Sequence, residues 1–430
     1  MTKSRYKTSQ EYLERALKTV PLGSQTFSKS KTQLPYGTSP YFASHAEGAY
    51  MYDVDGNRYI DFVNSLASVT LGYNDPDVTR AVRQQLEKGT IFSLANELEF
   101  VVAEKIVKMV PCAEMVRFGK NGSDATSGAV RIARAYTGRD HVLVCGYHGW
   151  QDWYIGSTGR NLGVPEATRK LTHTFQYNDI DSLERLFNDL KDQVAAVILE
   201  PVNIFEPKNN FLQQVKELTH RHGAVLVFDE TITGFRYANG GAQEFFGVTP
   251  DLACFGKGLA NGYPVSALAG RADIMKLMEE VFFSFTFGGE LLSLAAANAA
   301  LDKLLSHDVI GHLNSVGKQI IEGVSALISK HGLQDIFGVS GYPVWSFFTI
   351  KDTESFTSWE IKTLFLQEMF KKGIYIIGTH NISYAHNDDH VRVLLNAYDH
   401  FFAVMKNCLE SGNIKSVIEG KVLEPLFKVR

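Results

Sequence analysis

Five short runs, HVLVCGYH, VAAVILEP, AVLVFDE, DLACFG and PVSALAG, follow one another between residues 141 and 270, several of them wholly apolar and the earlier ones separated by helical patterns. A strand without polar alternation is stable only where both of its faces are covered, so this pattern predicts a mostly parallel sheet packed between helices. In such a sheet ligands gather beyond the carboxyl ends of the strands. Chemistry-bearing residues are therefore to be sought there.

The flanks read differently. Tyr12, Leu13, Ala16, Leu17 and Val20 recur at helical spacing, and AYMYDVDGNRYIDFVNS alternates around Asp55-Gly56-Asn57, which predicts a small antiparallel meander. Past about residue 310 the order becomes helix, strands (VWSFFTI, IYIIG), helix. The division expected is an N-terminal segment 1–75, a large domain 76–310 and a C-terminal α+β domain 311–430. Hydrophobic residues at 45% and charged residues at 21% of 430 suit a folded globular chain. With 43 basic against 47 acidic side chains the net charge is −4, and no Lys/Arg run offers a hold on nucleic acid. No apolar stretch approaches the roughly 20 residues that span a bilayer. The polar start lacks a signal core, and Cys112, Cys145, Cys254 and Cys408 share no pairing or metal-like spacing. These features predict a soluble, cytoplasmic protein with no metal, membrane or nucleic-acid partner.

Three features point to chemistry. After MVRFG, Lys120-Asn121-Gly122-Ser123-Asp124-Ala125 opens a helical pattern. Small residues at a helix start expose backbone N–H groups at the positive end of the dipole, which suits a phosphate; an ordinary helix capped by Ser123 or Asp124 reads as well. Asp229 closes the apolar run AVLVFDE, where a lone carboxylate is costly without a cation or strong hydrogen bonds. A protonated heteroaromatic nitrogen, an N-cap role or Arg236 would each meet it. Lys257 follows a second apolar strand between Gly256 and Gly258, where desolvation or a nearby cation would make its amine nucleophilic. Between these lies Tyr147-His148-Gly149-Trp150, whose tyrosine can stack on a flat ring or pack the sheet edge, and whose histidine is a site residue or a satisfied structural one. A phosphate cradle, a strand-end aspartate and a glycine-flanked lysine together are the contacts that pyridoxal 5′-phosphate (PLP) needs.

The segment FDETITGFRYANGGAQEFFGVTPDLACFGKGLANGYPVSALAGR resembles the signature of the class III, fold-type I PLP-dependent aminotransferases, with the glutamate-1-semialdehyde aminomutase subgroup the most similar. The likeness extends from YMYDVDGNRYIDF through KNGSDAT, ARAYTGRD, YHGW and ILEPV to FGKGLANGYPV. It implies an α/β large domain on a mostly parallel seven-stranded sheet and a smaller α+β domain built from both chain ends. By the same resemblance Lys257 forms the Schiff base and moves the proton between carbon centres, and Asp229 pairs with the pyridine nitrogen. Gly122 and Ser123 hold the phosphate, Tyr147 stacks on the ring beside His148, Glu200 lies near the cofactor and Asn203 touches the ring hydroxyl. Thr286 in SFTFGGE matches a threonine that completes the neighbouring subunit's phosphate site, which implies a homodimer with shared sites.

Departures from the subgroup bear on the substrate. GSQTFSKSKT carries no arginine where the aminomutase has one, so the carboxylate clamp is expected to be lost. Its usual tryptophan is Leu66, and the segment after YHGW is shorter. Glu290, in place of an asparagine, would repel a dicarboxylate and suit hydroxyls or an ammonium, or else only cap the helix that follows. With Trp150 nearby, these features favour an aminotransferase acting between an amino donor and an aldehyde or ketone, in particular a sugar-derived or polyol-like carbonyl. An intramolecular 2,1-aminomutase is the alternative, and a non-catalytic relative of the fold the remote one.

Overall fold

In a computed structural model the chain is described over residues 5–424, which fall into two compact units. The smaller is built from both ends of the chain, residues 5–66, 71–75 and 311–424; the larger comprises 67–70 and 76–310. The smaller unit begins with the helix Lys7–Ala16, as the spacing of its apolar residues predicts, and continues into the antiparallel meander β1 (Ala43–Glu47), β2 (Tyr50–Asp53) and β3 (Arg58–Asp61). Gly56 holds the β2–β3 turn at φ 84°, a left-handed conformation that costs glycine nothing.

The larger unit is built on β4 (Met115–Gly119), β5 (His141–Cys145), β6 (Thr172–Thr174), β7 (Val194–Leu199), β8 (Val225–Asp229), β9 (Leu252–Phe255) and β10 (Ser266–Gly270). They form one sheet in the order β4-β10-β9-β8-β7-β5-β6, with β10 antiparallel to both of its neighbours. The wholly apolar runs serve two cores at once. Val142, Val144, Ile198 and Val227 pack on one face with Ala125, Ala129 and Ile132 of the helix Gly122–Thr137. Leu143, Val197, Leu199 and Phe228 face the other way onto Leu183, Phe187 and Val215 of the helices Ile180–Asp189 and Phe211–Arg221. Each fully buried side chain of this kind stabilises the fold by about 1.5–3 kcal/mol, so both layers of helices are held by the strands' own composition.

The chain runs from β5 outward to β6, then returns to lay down β7, β8 and β9 on the other side of β5, which creates a switch point at the carboxyl ends of β5 and β7. Back in the smaller unit, β11 (Phe337–Tyr342), β12 (Trp345–Ile350) and β14 (Thr379–Asn381) form a second antiparallel sheet, while β13 (Ile374–Tyr375) extends the meander by pairing parallel with β3. Among the described residues no helix is long and apolar enough to cross a membrane, and no group of three or more His, Cys, Asp or Glu could hold a metal ion.

Candidate active site

Three loops at the carboxyl ends of the larger sheet meet around one threonine. Asp229 ends β8 and is buried; its Oδ1 accepts hydrogen bonds from the backbone N–H of Thr231 (3.1 Å) and the Thr231 hydroxyl (2.6 Å). Thr231 in turn packs on two glycines. A Cβ at Gly122 would lie 2.9 Å from Thr231 Cγ2, and one at Gly256 would lie 3.3 Å from that atom and 3.9 Å from Gly122 Cα. The helix start at Gly122, the aspartate after β8 and the lysine turn after β9 are thus brought within van der Waals reach of one another. Lys257 follows at φ 42°, a left-handed conformation that strains any residue with a Cβ by about 1 kcal/mol or more.

Asp229 Oδ2 meets Nδ1 of His148 at 2.9 Å, and Nε2 of that ring lies 3.2 Å from the Cys145 carbonyl. Both partners are acceptors, so each ring nitrogen donates to the oxygen it faces when it carries the proton. Burial alone would push the Asp229 carboxyl up; the hydrogen bond and charge of His148, with the two bonds from Thr231, overcome it and hold the group below the usual carboxylate range. His148 is itself fixed by its position under Trp153 and Tyr154, with ring centroids 6.4 and 5.2 Å away.

The helix Gly122–Thr137 opens with a tight box: Asp124 Oδ2 accepts from the backbone N–H of Lys120 (2.9 Å) and of Asn121 (2.7 Å). Gly149, at φ 103°, lets the β5 loop pass over Ser123; a Cβ there would lie 2.2 Å from the Ser123 hydroxyl. Tyr147 leaves the same loop with its ring edge-on to Tyr154, and its backbone N–H donates to Glu200 Oε2 at 3.0 Å. Glu200 and Asn203 follow β7 and are both buried, Asn203 Oδ1 accepting from the Phe205 N–H. Thr286 lies on an exposed stretch, and Trp150 is 64% exposed.

Glu290 is placed otherwise than the charge argument required. Its carboxylate caps the helix Leu291–Ser306, accepting from the N–H groups of Leu292 and Ser293 and the Ser293 hydroxyl, and it forms an ion pair with Lys120 at 3.0 Å. Its charge is already met by four donors, which removes the argument that it turns away a dicarboxylate. Arg236 is fully buried and donates to Thr70 Oγ1 and the Ala67 carbonyl, while Arg392 is exposed and pairs with Asp389. Thr231 was missed by the sequence reading; its signal is a threonine two positions after a strand-end aspartate, the spacing that closes a side-chain turn.

The smaller unit has a cavity of its own, about 270 Å³, walled by aromatic side chains including Phe42, Tyr73 and Tyr375 together with Leu66 and Lys29. The segment GSQTFSKSKT has no arginine to place there, and its Lys29 stands in the cavity wall. Asp61, at the end of β3, also lines it, accepting from the N–H groups of Val63 and Asn64 and from the Tyr73 hydroxyl at 2.6 Å. Here burial outweighs the three hydrogen bonds and raises the carboxyl above its ordinary value. Next in the chain, Asn64, Ser65, Leu66 and Ala67 all have φ between 47° and 66°, a left-handed turn without a glycine.

The sequence model for class-III aminotransferases matches residues 33–395. The chain belongs to that family. It is a PLP-dependent enzyme. A glutamate-1-semialdehyde 2,1-aminomutase of Syntrophobacter fumaroxidans (strain DSM 10017 / MPOB) is 39% identical over 371 residues, which cover 79% of this chain and 84% of that protein. A 3-aminobutyryl-CoA aminotransferase of Cloacimonas acidaminovorans (strain Evry) is 33% identical over 411 residues, 93% of this chain and 98% of the relative. Among solved structures, the PLP internal aldimine form of the FumI protein of Sphingopyxis sp. MTA144 is 29% identical and superposes with a TM-score of 0.87 over 95% of this chain and 99% of that one. The class-III site suits its cofactor on chemical grounds. It joins a helix start free of bulky side chains at Gly122, an aspartate held ionised at Asp229 and a lysine at 257 within one cluster.

Proposed function

We propose that this class-III enzyme transfers an amino group between an amino donor, such as an amino acid, and a small aldehyde or ketone. The observation that carries the reading is the convergence of Gly122, Asp229 and the Lys257 turn on Thr231. When bound, PLP supplies an aldehyde that exchanges amines and a ring that withdraws electrons from the reacting carbon. The N–H groups at Gly122 and Ser123 would hold its phosphate, aided by the helix dipole. Asp229, kept anionic by His148 and Thr231, would hold a proton on the ring nitrogen, and the Tyr147 ring would cover one face. Glu200 fixes the backbone of Tyr147, and Asn203 stands on the next loop. The Lys257 amine would anchor the cofactor and, once released, accept a proton at the donor carbon and return it at the neighbouring position.

A homodimer belongs to the same reading. Leu94 and Phe282 are 84% and 82% exposed in the single chain, with Phe92, Phe285 and Phe287 also exposed. The two segments lie side by side: Leu291 N–H donates to the Thr90 carbonyl at 2.8 Å, and a Cβ at Gly289 would meet Glu99 at 2.8 Å. An apolar surface of that kind around Thr286 supports a second copy seated on it, with Thr286 reaching that copy's phosphate.

The 39% identity to a protein named as an aminomutase favours a second reading, an intramolecular 2,1-aminomutase on glutamate 1-semialdehyde. One experiment separates them. The purified enzyme is mixed with L-glutamate and no acceptor while its visible absorbance is followed. Bleaching of the cofactor band supports amino transfer; an unchanged band, with glutamate 1-semialdehyde isomerised when added alone, supports the mutase. In either case Lys257→Ala is expected to lose the band and at least about 10³-fold in turnover. A variant that kept both would remove Lys257 from the chemistry.

A further inference from the structure

The Lys120–Glu290 ion pair joins two segments to which the preceding reading gives different tasks. Lys120 stands two residues before Gly122, with its backbone N–H tied to Asp124 and its Nζ 3.0 Å from Glu290 Oε2; both side chains are less than one-fifth exposed. Glu290 stands four residues after Thr286 and is locked by the start of its own helix. Between them the segment 285–290 lies along 118–120. A Cβ at Gly119 would be 3.5 Å from the Phe285 ring, one at Gly288 would be 3.6 Å from the Phe118 carbonyl, and Gly289 leaves no space for a Cβ beside Glu99. An isolated cap needs only a short acceptor side chain such as Ser, Asp or Asn. A glutamate that caps one helix and also grips the residue before another cross-links the two helix starts.

We propose that Lys120 and Glu290 are positioning residues, a strut that keeps the Thr286 segment in register with the phosphate-holding turn, so that cofactor binding and subunit association depend on each other. The strut rests on the reading that Gly122 and Ser123 hold phosphate and that Thr286 serves a second copy. Occupancy of one turn would then set the neighbouring segment for its partner, and association would in turn tighten the turn. This is a reciprocal coupling between two equilibria.

The test uses the full chain and PLP itself. Dissociation constants for PLP are measured by titration, and the monomer–dimer equilibrium by sedimentation with and without PLP. The variants are Lys120→Met, Glu290→Gln, their double and Lys120→Arg, with Thr357→Ala as a control that removes a helix cap in the smaller unit. Losing a charge-assisted hydrogen bond is expected to weaken PLP binding by about tenfold and dimerisation in the same direction. The double is expected to be no worse than either single, since both remove one contact, and Lys120→Arg is expected to stay within about threefold of wild type. If the variants lose thermal stability as Thr357→Ala does, yet keep wild-type PLP affinity and association, Glu290 is a cap only and the strut is wrong. A wild-type chain that bound PLP as a monomer would overturn the dimer reading and the strut with it, whereas one that bound no PLP would overturn the site itself.

Discussion

Asp229 and Asp61 are the same residue in the same kind of place. Each ends a strand, each is buried, and each accepts three hydrogen bonds from nearby groups. Their carboxyls nevertheless move in opposite directions. Burial raises both; at Asp61 it is opposed by two backbone N–H groups, a phenol and, as the smallest effect, the charge of Lys29, and burial wins, whereas at Asp229 an imidazole brings charge and a hydrogen bond together and burial loses. Hydrogen-bond number alone does not keep a buried carboxylate ionised. A partner that brings positive charge within hydrogen-bond distance does, and the larger unit supplies one at Asp229, the carboxylate proposed to face the cofactor ring.

The comparison breaks most sharply at Asp229 itself. Asp229→Asn keeps the shape and removes the charge, so turnover is expected to fall by about 10³-fold with the fold intact by circular dichroism; a variant retaining a tenth or more of wild-type kcat would mean that the anion is not used. His148→Gln leaves one neutral donor at Asp229, and the expected loss is about 10- to 100-fold in kcat/KM. The acid limb of the pH–rate profile should also move to higher pH as the carboxyl rises, and a limb that stays in place would separate His148 from the charge of Asp229. Asp61→Asn is expected to keep turnover within a few-fold and to change how stability varies with pH. A raised carboxyl holds its proton more tightly when folded, so Asp61 contributes fully below the unfolded value of 3.8 and that contribution is lost as pH rises through its higher folded value. Asp229 contributes above 3.8 and loses its contribution only on acidification through its lower folded value. Melting temperatures from pH 4 to 8 should therefore decline less for Asp61→Asn than for wild type. Parallel curves would refute the assignment at Asp61.

The larger unit was legible because its strands leave no polar alternation to misread. Runs such as VAAVIL and VLVFD fixed both the buried sheet and the strand ends where Asp229 and Lys257 stand. Direction was harder to read: SALAG looks the same run either way, and β10 is antiparallel because the turn carrying Lys257 doubles back beside β9. Contacts between distant residues left no local mark. Glu290 read equally as a pocket carboxylate or a helix cap; the cap is local, whereas its counter-ion Lys120, 170 positions away, had no mark in the sequence. The left-handed turn Asn64–Ala67 has no glycine to announce it, and the cavity beside it is assembled from segments as far apart as Ser28 and Ile377. Periodicity reports which face of an element is buried; it carries no record of which two faces meet.

The left-handed backbone of Lys257 has a consequence for how this chain could change over time. Glycine would occupy that conformation without strain, and asparagine with less strain than lysine, a gain of about 1 kcal/mol in either case. On the role proposed for Lys257, a descendant released from catalysis would shed that backbone strain by giving up the lysine. Position 257 is where the retirement of the enzyme would first be written.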